Sequence, residues 1–408
     1  MKQYSLLPLF LLPLLLFAQY KGSGYVTRGK GQTDVAKLMD CVGGRTAALG
    51  HIKDSLNQVW TLPALVSYSD MGFPFASDLY NSCNGKTFAN TQSAIAGLNG
   101  KDIISIDADG EVITAYIFAD NYFEMYINGV PVGKDPVPFT EFNSSIVRFR
   151  VKRPFTIAML LVDWEEALGL GTELNGGFAY HPGDGGMVAL FTDSNNQVVA
   201  KTGSDWKAQT YYTAPVKDLS CPTEQGNLRL SDLCNTASEN DGSNWYALHW
   251  KRPALWFTET YSDTSWPAAK LYTNTEIGVN NKPAYTRFLD VFDRQGEDAQ
   301  FIWSSNVILD NEVLVRYTVP AKLAGVSAMH PYFSVSNPSG EYIRIFTHQN
   351  GKYRCTLFDG MGRTILNQIF LKGEEKLDVS TFANGTYILH LEHENGAVEN
   401  INIVVNHE

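Results

Sequence analysis

What this sequence lacks narrows it first. It has no GxSxG elbow, no HExxH, no Walker loop and no dinucleotide fingerprint, so the commonest hydrolase, zinc-protease and nucleotide chemistries have no local signature. Histidine is scarce, with eight residues scattered over 408 positions. Cysteine is scarcer, at positions 41, 83, 221, 234 and 355, and no two show the CxxC spacing of zinc or redox sites. No metal, no cofactor and no catalytic residue is assigned on this basis. Basic charge is also short: 32 Lys and Arg stand against 43 Asp and Glu, a net charge of −11. An acidic surface without a basic stripe repels phosphate backbones, so nucleic acid is not an expected partner. Beyond the first 18 residues no apolar run reaches the length of a membrane-spanning helix, so no span is expected in the mature chain.

Residues 1–18 carry one Lys, an apolar run broken by Pro8 and Pro13, and Ala18 at a plausible cleavage position. The run is short and weakly flanked, which reads as a signal peptide rather than an anchor. In an exported chain cysteines pair. Cys41 with Cys83 and Cys221 with Cys234 are the candidate disulfides, and Cys355, inside a predicted strand, is left as a buried thiol.

The chain is organised around residues 111–133. Val112 to Phe118 is apolar or β-branched on both faces, as in a strand covered on both sides. Tyr122 to Ile127 alternates, with Phe123, Met125 and Ile127 on a packed face and Tyr122, Glu124 and Tyr126 on a polar-aromatic one. Asn128-Gly129 then supplies the positive φ angles of a type I′ turn. Further strands are expected at 146–151, 155–163, 187–192, 206–212, 300–304 and 313–319. The class is all-β, a jelly-roll-like β-sandwich with irregular insertions over 100–319, followed by a small C-terminal β-sandwich. Residues 19–99 are expected to be an irregular segment packed on the main domain, with a short helix near 34–39 and a helical turn or loop at 74–83. Residues 215–245 read as a stapled insertion.

Glycine-rich residues 169–186 form a long loop, and such loops are often functional. It follows Asp163-Trp164-Glu165-Glu166, which leaves a predicted buried strand, and contains Tyr180-His181-Pro-Gly-Asp184. Both loop ends should sit at one rim of the sandwich. Trp164, Glu165, Tyr180, His181 and Asp184 are therefore expected to lie together as a candidate ligand site. Carboxylates there suit sugar hydroxyls and the aromatic rings suit a sugar's C–H face. A self-satisfied loop network without a ligand would use the same residues.

Two resemblances add to this. Residues 119–133, with DWKAQ at 205–209, SDTSWPAA at 262–269 and FIWSSNVILDNEVLVR at 301–316, resemble galactose-binding-like jelly-roll domains of exported bacterial proteins. That likeness implies a β-sandwich and a carbohydrate or other polar ligand. After a proline-bounded linker at 320–331, residues 332–408 resemble the C-terminal sorting domain of the type IX secretion system of Bacteroidetes-type bacteria. The matching positions are Asn337-Pro338, Asp359 with Gly362-Arg363, Asp378 within Leu-Asp-Val-Ser, and Gly385 with Tyr387. This likeness implies passage through the periplasm to the surface or medium, with the secretion machinery as partner. The expectation is an exported binding protein, with a glycan hydrolase or a structural surface protein as alternatives.

Overall fold

In the computed structural model Asn128 and Gly129 take φ angles of 49° and 85°, the left-handed pair that a tight hairpin requires. Ile127 faces Val130 across that turn, and Tyr122–Ile127 pairs with Val130–Lys134. The structure describes residues 20–98, 100–174, 180–237, 245–321, 333–335, 339–371 and 373–407. The signal peptide, most of the linker, and Asn337 and Pro338 lie outside the described residues.

The chain divides into two compact units, Met1–Lys322 and Leu323–Glu408. Two large sheets build the first. The seven-stranded sheet runs, in spatial order, Tyr25–Arg28, Tyr246–His249, Lys207–Val216, Asp310–Val319, Phe155–Val162, Tyr122–Ile127 and Val130–Lys134. The nine-stranded sheet is centred on Glu111–Asp120, which pairs with Gly186–Thr192 on one side and Ser144–Val151 on the other. One continuous core joins the inner faces. Phe123, Met125, Ile127, Met159, Leu161 and Val313 from one sheet meet Ile113, Ala115, Ile117, Phe149, Phe191 and Trp303 from the other. Each of the larger of these side chains contributes roughly 1.5–3 kcal/mol by leaving water.

The outer faces are covered too. Phe118, on the far side of its strand, packs against Phe142, Tyr285, Phe292 and Phe301. Two of these come from the short helices Pro283–Thr286 and Leu289–Phe292. The Tyr122, Glu124 and Tyr126 face, expected to be merely polar-aromatic, lies under a second cluster with Trp164, Trp256 and Trp266. Glu124 is buried there, accepting hydrogen bonds from the Ser67 amide and from the Tyr122 and Tyr126 hydroxyls.

The N-terminal segment is not irregular. Tyr25–Arg28 and Ser77–Asn81 extend the two large sheets, and Gln32–Val35, Leu49–Lys53 and Val59–Leu62 form a sheet of their own. The stretch expected as a short helix near 34–39 instead begins in the strand Gln32–Val35 and continues without helix, and Ser77–Asn81, half of the stretch 74–83 expected as a helical turn or loop, is a strand. Open sheet edges recruited these short polar runs, and tertiary pairing overrode weak local preference. The one helix among the described residues of this segment, Thr91–Ala96, starts at an Asn90 cap. The structure joins Cys41 to Cys83 and Cys221 to Cys234, and leaves Cys355 as a buried thiol. Inside the second staple, Thr223–Gln225 and Leu228–Leu230 form a small hairpin.

The second unit has a three-stranded sheet, Phe333–Val335, Tyr342–Thr347 and Glu374–Asp378, and a four-stranded sheet from Lys352–Phe358, Thr364–Leu371, Gly385–His393 and Val398–Val405. Ile343, Tyr353, Leu357, Leu389 and Ile403 are among its core residues. Gly362 takes a φ of 77° in the turn after Asp359, whose carboxylate accepts from Arg363 Nε at 2.7 Å. Asp378 accepts from the Ser380 amide and hydroxyl, Gly385 opens a strand, and Tyr387 donates to Ala383 O.

Candidate functional site

The chain changes sheets at Asp120–Asn121. Asp120 ends a strand of the nine-stranded sheet opposite Gly186, and Tyr122 begins a strand of the seven-stranded sheet. Asn121 secures the crossing: its amide donates to Val162 O at 3.0 Å, and its side-chain oxygen accepts from the Trp164 amide at 2.5 Å. Its side-chain nitrogen donates to Asp120 Oδ1 at 2.5 Å. Asp163 follows the buried strand Phe155–Val162, so three strand ends bring Asp120, Asp163 and the run before Gly186 to one rim.

A cavity of about 870 Å³ opens at this rim. Its lining includes Arg45, Tyr80, Asp120, Phe142, Glu173, His181, Asp184 and Lys282. Thr172–Glu173 pairs with His181–Pro182, which sets Glu173 beside His181. The Glu173 carboxylate forms an ion pair with the Arg45 guanidinium. Arg45 belongs to the 43–46 wall, and Tyr80 and Ser82 to another. The Cys41–Cys83 disulfide ties these two walls together. Lys282 stands 4.3 Å over the Phe142 ring.

Carboxyl groups dominate the electrostatics. Burial, with the charges of Asp184 and Glu173, pushes Asp120 well above the ordinary aspartate range, against the opposing pull of Lys282 and Arg45. Burial and the neighbouring Glu173, Asp120, Asp184 and Glu165 do the same to Asp163. Asp184, which is half-buried, is raised to about 6 by burial and Glu173. Protonated and ionised carboxyls together supply both donors and acceptors to a polar guest.

Of the five residues expected to cluster, only His181 and Asp184 line the cavity. Trp164 is buried in the outer aromatic layer, where its ring nitrogen donates to Ala48 O at 3.1 Å and its edge meets Tyr122. Glu165 is buried and accepts from the Gly169 and Gly171 amides and the Tyr212 hydroxyl. Tyr180 receives a hydrogen bond from Lys30 and packs beside Ala167, Leu170 and Trp245. The rim argument failed for these three because the chain after Asp163 dives inward. Ala167, Leu168 and Leu170 are buried and draw Glu165 under them to tie the turn. Sequence reasoning missed Arg45, Tyr80, Asp120, Phe142, Glu173 and Lys282. The one local signal was at Asp120-Asn121, a polar pair between two apolar strands.

Residues 336–406 match the family described as the secretion system C-terminal sorting domain. The chain therefore ends in a sorting domain that directs export to the cell surface or medium, and this implies an interaction with the secretion machinery. No curated protein matches the chain. Among solved structures it is similar to a Pleurotus ostreatus lectin in its apo form, at 10% identity over 73% of each chain and a TM-score of 0.22. A Ruminococcus gnavus beta-glucuronidase is matched at 8% identity over 73% of this chain and 33% of that one, TM-score 0.15. Dimeric latent PorU from Porphyromonas gingivalis is matched at 11% identity over 94% of this chain and 34% of that one, TM-score 0.17. None of these likenesses is close enough to bear on function.

Proposed function

We propose that this is an exported carbohydrate-binding protein of the type IX secretion system, with a galactose-binding-like main domain and its ligand site in the cavity beside Asp120 and Asp184. The observation that carries this reading is the lining. Two partly exposed aromatic rings, Tyr80 and Phe142, share one cavity with carboxyls and cations that can hydrogen-bond hydroxyls. Sugars need that combination, an apolar surface for their C–H face and polar groups for their edge. The experiment is a glycan array probed with the secreted chain and with Phe142→Ala and Asp184→Ala. Binding that both substitutions weaken about tenfold or more supports the reading. Binding that neither changes would place the ligand elsewhere.

One observation favours a second reading, a glycan hydrolase. Asp184, raised to about 6, stands near Glu173, which is held by Arg45. A carboxyl with a raised pKa beside a second carboxyl is a pair that glycoside hydrolysis employs. Mass spectrometry of an array-identified glycan after prolonged incubation decides between the two: an intact glycan supports binding alone.

A further inference from the structure

We propose that the secretion machinery takes hold of the sorting domain by adding a strand of its own to the open edge Thr364–Leu371. This rests on the export role and is independent of the ligand reading above. Thr364–Leu371 pairs with Lys352–Phe358 along one side, and among the described residues no strand pairs with its other side. Its eight residues, TILNQIFL, include no charge, no proline and no glycine. Ile365, Ile369 and Leu371 are 39%, 60% and 67% exposed, and Met361, in the turn just before, is 81% exposed.

A long apolar edge recruits other strands, and proteins ordinarily guard it with charge, brevity or a cover. The same domain guards its other edges in those ways. Glu374–Asp378 carries Glu374, Glu375, Lys376 and Asp378 in five positions. Phe333–Val335 is three residues long. Val398–Val405 carries Glu399, and Ser339 covers its end: the Ser339 amide donates to Val404 O at 2.8 Å, and its carbonyl accepts from the Asn406 amide at 3.0 Å. Thr364–Leu371 has one irregularity, where its register shifts beside Phe358, and is regular from Leu366 onward.

The regular stretch defines the guest. Leu366, Gln368 and Phe370 stand opposite Leu357, Cys355 and Tyr353, on the core side. Asn367, Ile369 and Leu371 stand opposite Thr356, Arg354 and Lys352, on the outer side. An added strand gains main-chain hydrogen bonds along the edge, and alternate side chains give it specificity. The matching guest is an uncharged extended segment with two aliphatic residues and then a polar one at alternate outer positions. A second copy of this chain fits less well. Two-fold antiparallel pairing centred on Gln368 or Ile369 sets Asn367 against Ile369 or Leu371, and pairing centred on Asn367 sets Leu366 against Gln368. The machinery, by contrast, is a partner that the sorting domain already implies.

Export of the full chain from its own bacterium tests this. Ile369→Lys combined with Leu371→Lys places charge on the edge and should lower the protein in the medium about tenfold or more, with the retained protein melting as before. Ile388→Lys, on the outer face of the same sheet but on an inner strand, should export normally. Should the lysine variant fail to fold, Ile369→Thr with Leu371→Thr keeps strand preference and should reduce export in the same direction. A benzoylphenylalanine photo-cross-linker in place of Leu371 should form its adduct with a component of the secretion machinery. Normal export of the folded edge variants would overturn the proposal, as would equal loss in Ile388→Lys or an adduct to a second copy of this chain. Deletion of residues 332–408 runs alongside: retention of that truncated chain with normal export of the edge variants leaves the sorting role standing and removes the edge alone.

Discussion

Lys134 offers a sharp test of how the outer layer is held. It ends the strand Val130–Lys134, is 0% exposed, and its ammonium donates to three backbone carbonyls: Ser67 at 2.9 Å, Tyr68 at 2.7 Å and Asp70 at 2.7 Å. The Phe75 ring lies 4.3 Å away and adds a cation–π contact. Lys134 thus pins the 67–70 turn, and that turn carries the Ser67 amide that Glu124 accepts. Lys134→Met keeps the volume and the apolar stem but strands three carbonyls. At about 1–3 kcal/mol per group deprived of its donor, the gross cost is roughly 3–9 kcal/mol. Burying methionine instead of an ammonium recovers several kcal/mol of desolvation, so a net loss of about 2–4 kcal/mol is expected. Urea titration of the secreted chain, followed by tryptophan fluorescence, measures it, because Trp164 and Trp256 sit in the same outer cluster. A loss below about 1 kcal/mol with an unchanged m-value would refute the reasoning, since it would mean that the carbonyls find water at no cost.

Three further outcomes follow from the same structure. Converting both Cys221 and Cys234 to serine should cost about 3 kcal/mol and converting Cys41 and Cys83 about 4, by the chain entropy of loops separated by 13 and 42 residues; in thermal melts only the second pair should also weaken ligand binding, because it joins two cavity walls. Glu165 is raised to about 7 by burial, against the hydrogen bonds from Gly169, Gly171 and Tyr212, so the folded chain holds this proton more tightly than the unfolded one; its contribution is fully present below the ordinary glutamate range and is lost as pH rises through about 7, and Glu165→Gln should flatten that slope in urea titrations across the interval. Deleting residues 332–408 should leave the main domain folded, because the tail has a core of its own, but should retain the protein inside the cell; normal appearance in the medium would defeat the sorting role.

The strands were the legible part of this chain, and the reason is periodicity. Phe155–Val162 is apolar at nearly every position because it has neighbours on both faces and both edges, and no other element accommodates such a run at that length. The Asn128-Gly129 turn was legible because few other residue pairs accept its backbone angles. The first ninety residues were not. Gln32–Val35 is exposed along its whole length, so its sequence records no burial, and it is a strand only because Leu49–Lys53 offers an edge. Information of that kind resides in the partner and not in the strand.

The site was hidden for a related reason, and it shows how such a cavity is assembled. A strand that ends at a rim marks the residues after it as candidates, and Asp163-Trp164-Glu165 does follow such a strand. The strand end does not say which way the chain turns next. Glu165 and Trp164 are as polar and as aromatic as any ligand-binding pair, yet the apolar residues at 167, 168 and 170 pull them beneath the surface. The groups that do line the cavity come from distant stretches: Arg45 from a disulfide-anchored loop, Asp120 from a sheet crossing, Glu173 from a two-residue strand, and Lys282 from the residue before a short helix. These stretches lie far apart in sequence, so no short window along the chain contains the constellation. What places Asp120 and Asp163 together is that Tyr122–Ile127 and Phe155–Val162 are adjacent antiparallel strands, with Tyr122 opposite Val162. The residue before the first and the residue after the second must then emerge side by side. That pairing rule applied to two strand ends would have named the carboxyl cluster, whereas a search for neighbouring polar residues within one loop led to Trp164 and Glu165.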